Sequence, residues 1–262
     1  MSQPSSVDPV SSAPDRAWSP SDLAGDPHAA ADKAARVRRM FGAIARRYDL
    51  NNRLHSFGLD RCWRARAVRE AGVTSESDVL DVACGTGDLS LAFTRAGARQ
   101  VIGADFTPQM LDLARDKARR RGALGERLRF EHGDAMNLEY SDASFDIVSI
   151  AFGLRNVSDP PRALTEFRRV LRPGGRLVVL EFSRPRNRLV RAGNDFYTRR
   201  VMPLTATLIA RDRSGAYRYL PRSVETFPEG NDLLDLIRRA GFTSTRAVPL
   251  TMGVCTISIG QR

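Results

Sequence analysis

The sequence has no long apolar run and very little cysteine. A membrane-spanning helix needs about 20 predominantly apolar residues, and no segment approaches that length. The first 16 residues lack the basic start and apolar stretch of a secretory signal. The three cysteines, Cys62, Cys84 and Cys255, are far apart and have no metal-ligand spacing. We therefore expect a cytoplasmic protein with reduced thiols, no disulfide and no bound metal.

Acidic side chains are also scarce relative to basic ones. The chain has 30 acidic residues against 41 lysines and arginines, a formal net charge of +11. Residues 1–35 carry −3, which leaves +14 for the remainder. A basic body of this kind suits a nucleic acid or an anionic membrane surface. An ordinary solvated surface is equally compatible with it, so charge alone does not choose the partner.

Composition divides the chain into three parts. Residues 1–32 are rich in Ser, Pro, Ala and Asp and have few large apolar groups, so we expect a disordered tail. In residues 33–72, apolar side chains recur every three or four positions, which predicts a helical flap. We expect residues 73–262 to form one domain with a long insert at 183–230.

The domain alternates strands and helices. We predict strands at 79–83, 101–105, 129–132, 145–152 and 176–182, with helices at 88–96, 108–121 and 159–171 between them. A helix at 231–240 and strands near 244–249 and 253–259 follow the insert. Such alternation predicts an α/β fold: a mostly parallel seven-stranded sheet with helices on both faces and an antiparallel C-terminal strand pair.

The turn after the first strand indicates a cationic, amino-acid-like ligand. Strand 79–83 runs into Gly85-Thr86-Gly87, and glycines there let the backbone approach a ligand closely. Dinucleotide folds use the same device, but here Ser90 replaces their third glycine and Asp88 stands where a pyrophosphate would rest. A carboxylate repels phosphate and attracts an α-ammonium group. Asp88 also suits a helix N-terminus, and the two roles are compatible.

Two further carboxylates follow the neighbouring strands. Asp105 ends the second strand, where an acid can accept the hydroxyls of a ribose. Asp134 follows the third strand and could accept an adenine amino group. Because the carboxyl ends of parallel strands meet at one edge, these side chains belong to one site. The ordered set resembles the class I S-adenosylmethionine-dependent methyltransferases, with their Rossmann-like fold, over residues 78–182.

Several other segments narrow the family. They are Tyr48-Asp49-Leu50-Asn51-Asn52, Ser56-Phe57-Gly58 with Trp63, Phe152-Gly153-Leu154-Arg155-Asn156-Val157, Arg169-Val170-Leu171-Arg172-Pro173-Gly174-Gly175-Arg176-Leu177, Leu180-Glu181-Phe182-Ser183 and Tyr217-Arg218-Tyr219-Leu220. Together they resemble the ubiquinone/menaquinone biosynthesis C-methyltransferases over about residues 38–260. Asp60 departs from the His of many members, which the resemblance associates with menaquinone-type enzymes. Ala151 replaces a Ser that some members use near the cofactor.

The resemblance implies a co-substrate, an acceptor and site residues. S-adenosylmethionine would donate a methyl group, without a metal, to the ring carbon of a prenylated demethylmenaquinol, giving menaquinol; a benzoquinol of ubiquinone biosynthesis is the alternative acceptor. The implied cofactor-binding residues are Tyr48, Asp81, Gly85, Thr86, Gly87, Asp105, Phe106, Asp134 and Ala135. The catalytic candidates are Asp49, Arg155, Tyr217 and Tyr219.

Each catalytic candidate has a chemical reason. Arg155 could stabilise a developing phenolate, and Asp49, His55 or a tyrosine could accept the proton that the acceptor loses. A histidine at such a position is more often a surface residue than a base, and that is the alternative for His55. Packing on the helical flap is the alternative role for Tyr48.

The insert suggests a lipid surface as a partner. Residues 183–222 contain ten arginines against Asp195 and Asp212, and they enclose the mostly apolar stretch 201–210. Cations beside an apolar stretch suit an anionic membrane surface, so we expect peripheral contact at the inner face of the cell membrane. A helix packed on the sheet is the alternative. Self-association as a homodimer stays open.

Two other function classes remain to be weighed. An RNA methyltransferase would also use a basic face, but the chain lacks an NPPY-like loop after the fourth strand and a Pro-Cys nucleophile. We therefore expect no nucleic acid partner. A non-catalytic regulator that binds S-adenosylmethionine would keep the same turn and carboxylates, and only methyl transfer distinguishes it from an enzyme.

Overall fold

The computed structural model describes residues 17–122, 127–210 and 214–262. The helices are α1 (Lys33–His55), α2 (Leu59–Ala71), α3 (Asp88–Arg95), α4 (Pro108–Arg120), α5 (Pro160–Val170), α6 (Arg188–Phe196), α7 (Met202–Ala210), α8 (Ala216–Thr226) and α9 (Asn231–Arg239). The strands are β1 (Asp78–Val82), β2 (Gln100–Asp105), β3 (Leu128–His132), β4 (Phe145–Ala151), β5 (Leu171–Phe182), β6 (Thr243–Leu250) and β7 (Cys255–Gln261). A π-helical turn, Tyr197–Val201, joins α6 to α7.

The strands form one sheet in the order β3-β2-β1-β4-β5-β7-β6. Neighbours from β3 to β5 are parallel, whereas β7 runs antiparallel to both β5 and β6. The order of connection reverses between β1 and β4, so the loops after these two strands diverge and leave a crevice at the carboxyl edge. The predicted class I methyltransferase fold, with its antiparallel C-terminal strand pair, is confirmed.

Helices cover both faces of the sheet, which explains why its inner strands are apolar throughout. In β1, Val79 packs in a cluster with α2, α3 and α4, whereas Leu80 packs on the opposite face with α5 and α9. Successive strand residues point to opposite faces, and all five residues of β1 are buried. A further cluster joins α1, α7 and α8.

Strand β5 begins five residues before its predicted start at Arg176. Leu171 pairs with Phe145 of β4, and the register shifts before Arg176 pairs with Ile147. Residues 173–175 have a Pro-Gly-Gly sequence that is typical of a turn. In the structure they lie inside an irregular part of the strand.

The insert forms α6, the π-helical turn, α7 and α8. Met202 and Ala206 of α7 are buried in the cluster with α1 and α8, whereas Leu204 and Leu208 are 69% and 79% exposed. The apolar stretch 201–210 is therefore only partly packed. In the described part of the chain, no helix combines the length and apolar content that crossing a membrane requires.

Residues 17–32 differ from the predicted disordered tail. Trp18 is 1% exposed, and its ring stacks on Tyr219 with the centroids 4.6 Å apart. The N–H groups of Ala17 and Trp18 donate to the carbonyl of Ser214. One large aromatic side chain supplies the apolar contact that the rest of this composition lacks. Residues 1–16, which the predicted tail also includes, lie outside the described residues.

A buried carboxylate joins the centre of the sheet to α3. Asp81 of β1 is 1% exposed and accepts hydrogen bonds from Ser90 Oγ at 2.6 Å and Ser149 Oγ at 2.9 Å. Burial raises the pKa of Asp81 to about 6, although both hydroxyls oppose the shift. Ser90, which takes the place of a motif glycine, thus holds α3 against β1.

We expect Asp81→Asn to change how stability depends on pH. Because the folded-state pKa of Asp81 lies above 3.8, its protonated form contributes stability that is complete below about pH 4 and is lost as the pH rises through about 6. On going from pH 7 to pH 4, the wild type should therefore gain about 2 kcal/mol relative to the variant in urea unfolding. The control is Asp142→Asn, at a carboxylate whose side chain is 73% exposed. Identical pH profiles for wild type and Asp81→Asn would contradict this assignment.

Candidate active site

One cavity opens at the carboxyl edge of the sheet, between the strand ends and α1. We call it the strand-end cavity; its volume is about 840 Å³ with the mouth included. Residues after β1, β2, β3 and β4 form one side, and Ala34, Val37, Arg38, Phe41 and Tyr48 of α1 form the other. The cavity therefore occupies the crevice that the strand order creates.

Three residues with positive φ shape the turn after β1. Ala83, Gly85 and Gly87 have φ values of +50°, +56° and +79°. A Cβ atom on Gly87 would lie 2.7 Å from the Phe130 ring, so glycine is required there. Asp105 holds the turn, because its Oδ2 accepts the N–H of Gly85 at 2.8 Å.

Six of the nine predicted cofactor-binding residues line this cavity: Tyr48, Gly85, Asp105, Phe106, Asp134 and Ala135. Asp81, Thr86 and Gly87 do not line it. Asp81 is held inside the sheet by its two serines, Gly87 packs on Phe130, and Thr86 is 3% exposed. Thr86 and Gly87 therefore form the turn, and Asp81 supports it from β1, but none of the three borders the strand-end cavity.

The carboxylates of Asp105 and Asp134 keep unused acceptor capacity. Asp105 accepts one backbone N–H on each oxygen, from Gly85 and Thr107, both at 2.8 Å. Asp134 Oδ1 accepts the N–H of Met136 at 2.9 Å. Each carboxylate oxygen has two lone pairs, so the backbone orients both groups while further ligand donors can still be accepted. Burial raises the pKa of Asp105, although the backbone N–H groups oppose it.

An ion-pair cluster joins α1 to the glycine turn. Asp49 accepts a hydrogen bond from Thr86 Oγ1 at 2.5 Å and pairs with Lys117 Nζ at 2.6 Å. Lys117 also lies 2.9 Å from Asp88 Oδ1. Burial opposes ionisation of Asp88, but Lys117 outweighs it, so the pKa of Asp88 is lowered. We call Asp49, Thr86, Asp88 and Lys117 the turn cluster.

The turn cluster changes the roles predicted for Asp49 and Asp88. Neither side chain lines the strand-end cavity or the larger cavity that adjoins it. Asp88 faces Lys117 of the protein instead of a ligand ammonium group. Asp49 follows Tyr48 by one residue, about 100° around the helix. Tyr48 therefore faces the cavities while Asp49 faces the turn, a position that does not support a catalytic role for Asp49.

A larger cavity lies between α1, α2 and the insert helices. This insert cavity has a volume of about 2040 Å³ with its mouth included. The catalytic candidates Arg155, Tyr217 and Tyr219 all line it. Four residues line both cavities: Phe41, Tyr48, Phe152 and Asn156. The two cavities therefore adjoin, and a group in one lies next to a group in the other.

The loop after β4, residues 152–157, forms much of this boundary, and we call it the wall loop. The carbonyl of Phe152 accepts hydrogen bonds from Arg155 Nη1 at 2.8 Å and Asn156 Nδ2 at 3.1 Å. Arg155 and Glu181 of β5, which are 4% and 3% exposed, form an ion pair. Burial raises the pKa of Glu181 against the effect of Arg155. Either charge alone would be costly to bury, so the pair fastens the wall loop to β5.

One donor of Arg155 has no partner among the described residues. Its Nε is buried and makes no hydrogen bond there. A buried donor without an acceptor costs about 1–3 kcal/mol. Since Arg155 lines the insert cavity, an acceptor oxygen bound in that cavity would satisfy it.

Both tyrosines predicted to be catalytic are held by amide side chains. Tyr219 Oη donates to Asn156 Oδ1 at 3.0 Å, and burial raises the pKa of Tyr219 to about 12. Tyr217 Oη accepts a hydrogen bond from Asn51 Nδ2 at 2.5 Å. Both hydroxyls are thus engaged with asparagine side chains, which favours a role in positioning Asn156 and Asn51.

His55 is partly buried and lines the insert cavity. Its Nδ1 lies 3.0 Å from Tyr197 Oη, and its Nε2 is buried without a hydrogen-bond partner in the described chain. Burial lowers the pKa of His55, which keeps the imidazole neutral at pH 7. No group of three His, Cys, Asp or Glu side chains within the described ranges could hold a metal ion.

Three residues at the site were not predicted from the sequence. Lys117 forms its contacts across the fold, and no local pattern indicates them. Arg38 lies over the Phe106 ring, with Cζ 5.4 Å from the centroid. Phe41 is one of the apolar side chains that recur every three or four positions in residues 33–72, and it was not predicted to be a site residue. Its spacing of seven residues from Tyr48, which places both on one helix face, was the available signal.

Two solved methyltransferase structures have a similar fold. A possible histamine N-methyltransferase from Thermotoga maritima superposes with a TM-score of 0.60 at 20% identity, covering 86% of this chain and 99% of that one. A SAM-dependent methyltransferase from Aquifex aeolicus gives a TM-score of 0.56 at 16% identity, covering 76% and 88%. At these identities the likeness concerns the fold alone.

Curated relatives are much more similar in sequence. The demethylmenaquinone methyltransferase of Deinococcus radiodurans is 48% identical over 232 residues, 88% of this chain and 94% of the relative. That of Thermus thermophilus is 49% identical over 224 residues, 85% of this chain and all of the relative. The ubiquinone/menaquinone biosynthesis C-methyltransferase UbiE of Teredinibacter turnerae is 41% identical over 235 residues, 89% and 94%.

The motifs, the fold and the comparisons agree on one family. Its model, described as the ubiE/COQ5 methyltransferase family, matches residues 29–262. That range contains both cavities, the turn cluster and the wall loop. The chain belongs to the ubiE/COQ5 methyltransferase family.

Proposed function

We propose that the protein transfers a methyl group from S-adenosylmethionine to the ring carbon of demethylmenaquinol, giving menaquinol. The observation that carries this proposal is the meeting of two cavities at the wall loop, one lined by oriented carboxylates and one large and mostly apolar. The names of the Deinococcus and Thermus relatives favour a naphthoquinol acceptor. The UbiE relative keeps a benzoquinol as the second candidate.

The strand-end cavity suits S-adenosylmethionine. Asp105 and Asp134 offer oriented acceptors for ribose hydroxyls and an adenine amino group, and Gly85 permits close approach of the backbone. The rings of Tyr48 and Phe152 stand at the boundary, where a ring face would stabilise a sulfonium cation by about 0.5–2 kcal/mol. The bound co-substrate supplies an already activated methyl group, so the transfer needs no metal.

Arg155 is placed to stabilise the acceptor. A neutral ring carbon is a weak nucleophile, and loss of the adjacent hydroxyl proton moves electron density onto it. The free Nε–H of Arg155 would donate to the resulting oxyanion, and one such donor is worth about 10²–10³-fold in rate. The wall loop and Tyr48 would hold the carbon towards the methyl group, and such positioning contributes up to about 7–11 kcal/mol. Bonding of that carbon to the methyl group then displaces its own C–H proton, which returns to the oxygen, so one proton is released in all.

His55 is our candidate for accepting the one proton that is released. Its lowered pKa keeps it neutral and ready to be protonated. Tyr219 is unsuitable, because its pKa of about 12 keeps it protonated. His55 lies about 10 Å along α1 from Tyr48, so a water molecule would relay the proton between the acceptor and the imidazole.

The flap and the insert complete the scheme. We propose a helical flap at residues 33–72 over a methyltransferase domain at 73–262, since α1 lines both cavities. At the mouth of the insert cavity, Phe57 and Met252 are 76% and 73% exposed. Arginines attract anionic lipid headgroups at about 1 kcal/mol per cation, and exposed apolar side chains near them can enter the membrane interface. Peripheral docking at the inner face of the membrane would bring this mouth to a prenylated acceptor.

Methyl transfer tests the proposal directly. Purified protein with methyl-labelled S-adenosylmethionine should label a short-chain demethylmenaquinol, detected by chromatography, in preference to a demethylated benzoquinol. Arg155→Lys keeps a charge for Glu181 but loses the Nε donor, so kcat should fall about 10²–10³-fold with unchanged calorimetric affinity for S-adenosylmethionine. Label appearing in RNA and not in either quinol would overturn the proposed function.

Asp49→Asn tests whether Asp49 positions the turn or takes part in the chemistry. Losing the partly buried pair with Lys117 should cost about 1 kcal/mol, which raises the dissociation constant of S-adenosylmethionine about fivefold. At saturating co-substrate, kcat should stay within about threefold of wild type. Asp116→Asn, at the neighbour of Lys117 on α4, is the matched control. A fall in kcat of more than about a hundredfold would instead place Asp49 in the chemistry.

Co-sedimentation with liposomes tests the docking surface. The wild type should bind vesicles that contain phosphatidylglycerol, but not pure phosphatidylcholine, and high salt should release it. Replacing the exposed Arg186 and Arg188 with Gln should weaken binding about thirtyfold. The same change at Arg95 and Arg120, which are exposed at the ends of α3 and α4, should not. No binding at low ionic strength would remove the membrane from the scheme.

A further inference from the structure

Residues 17–33 cross from α8 to the wall loop, and we call them the strap. The family match begins at residue 29, so most of the strap lies before the region that the family shares. Its two ends hold two different parts of the wall loop. Each end uses a nearly fully buried side chain, Trp18 and Lys33, both 1% exposed.

The Trp18 end reaches the acceptor side. The Trp18 ring stacks on Tyr219 with an interplanar angle of 19°, and Tyr219 Oη donates to Asn156 Oδ1 at 3.0 Å. The amide of Asn156 in turn donates to the carbonyl of Phe152 at 3.1 Å. Tyr219 lines the insert cavity only, whereas Asn156 and Phe152 line both cavities. Trp18 thus sets the position of Tyr219 without bordering the cavity itself.

The Lys33 end reaches the cofactor side. Lys33 Nζ donates to the carbonyl of Val157 at 2.6 Å, and Val157 lines the strand-end cavity but not the insert cavity. His28 Nδ1 lies 3.0 Å from the same amine, and His28 Nε2 lies 3.0 Å from the carbonyl of Ser223 in α8. This end therefore ties the last residue of the wall loop to the strap and to α8.

We propose that the strap positions the wall loop from both sides, with Trp18 acting on acceptor binding and Lys33 on S-adenosylmethionine binding. Both are positioning residues, because they act through Tyr219 and Asn156 or through Val157. The identity of the acceptor rests on the proposed function, whereas the effect on S-adenosylmethionine does not.

Separate effects on the two substrates test the strap. In the full-length chain, Trp18→Ala should raise KM for the demethylmenaquinol about tenfold, the scale of a lost aromatic stack, and leave the calorimetric dissociation constant of S-adenosylmethionine within about twofold. Trp18→Phe keeps the stack and should restore KM to within about threefold. Lys33→Met should show the opposite split, with S-adenosylmethionine bound about fivefold to tenfold more weakly.

A remote core variant separates positioning from general loss of stability. Leu128→Ala, at the buried amino end of β3 and therefore at the sheet edge opposite both cavities, should lower Tm without moving either constant. The strap proposal is wrong if Trp18→Ala and Lys33→Met move both constants in parallel with Tm, or move neither. If Trp18→Ala does not fold, Trp18→Leu replaces it. Absence of methyl transfer in the wild type would defeat the proposed function alone, since calorimetry on Lys33→Met still tests the strap.

Discussion

The buried ion pair between Arg155 and Glu181 holds the loop on which both cavities depend. Removing two charges from water is expensive, and only a close partner with further hydrogen bonds offsets that cost. Here the guanidinium also binds the carbonyl of Phe152, so the pair fixes the backbone of the wall loop as well as the side chain. The buried Nε–H of Arg155 has no partner among the described residues, and Arg155 lines the insert cavity. Structural and chemical roles thus meet in a single side chain.

The order of the strands explains why these groups lie together. Because the connections reverse between β1 and β4, the turn after β1 and the wall loop after β4 border the same crevice. Helix α1 covers that crevice and uses two of its faces. One face presents Phe41 and Tyr48 to both cavities, and the other carries Asp49 into the turn cluster. A methyl donor and a large acceptor can therefore approach each other across one thin boundary.

Much of the fold and part of the candidate site could be predicted from local patterns. Asp105 and Asp134 could be predicted to lie at one edge of the sheet because both follow parallel strands, and both line the strand-end cavity. Asp49 was predicted to be catalytic, and the structure places it in the turn cluster. A motif shows which residues are adjacent in the chain, but not which side of the helix faces a cavity. Residues 17–32 were misjudged because average composition hides one Trp, whose burial depends on meeting Tyr219, about 200 residues later.

The sequence by itself determined the alternation of strands and helices, the glycine turn, the strand-end carboxylates and the family. Each of these depends on residue types and their spacing within short segments of the chain. Only the tertiary structure decided that Lys117 pairs with both Asp49 and Asp88 and that His55 lines a cavity. It also decided that Arg155 pairs with Glu181 while its buried Nε–H has no partner among the described residues. These properties depend on distances between segments remote in the chain and on the exclusion of water, which no local pattern contains.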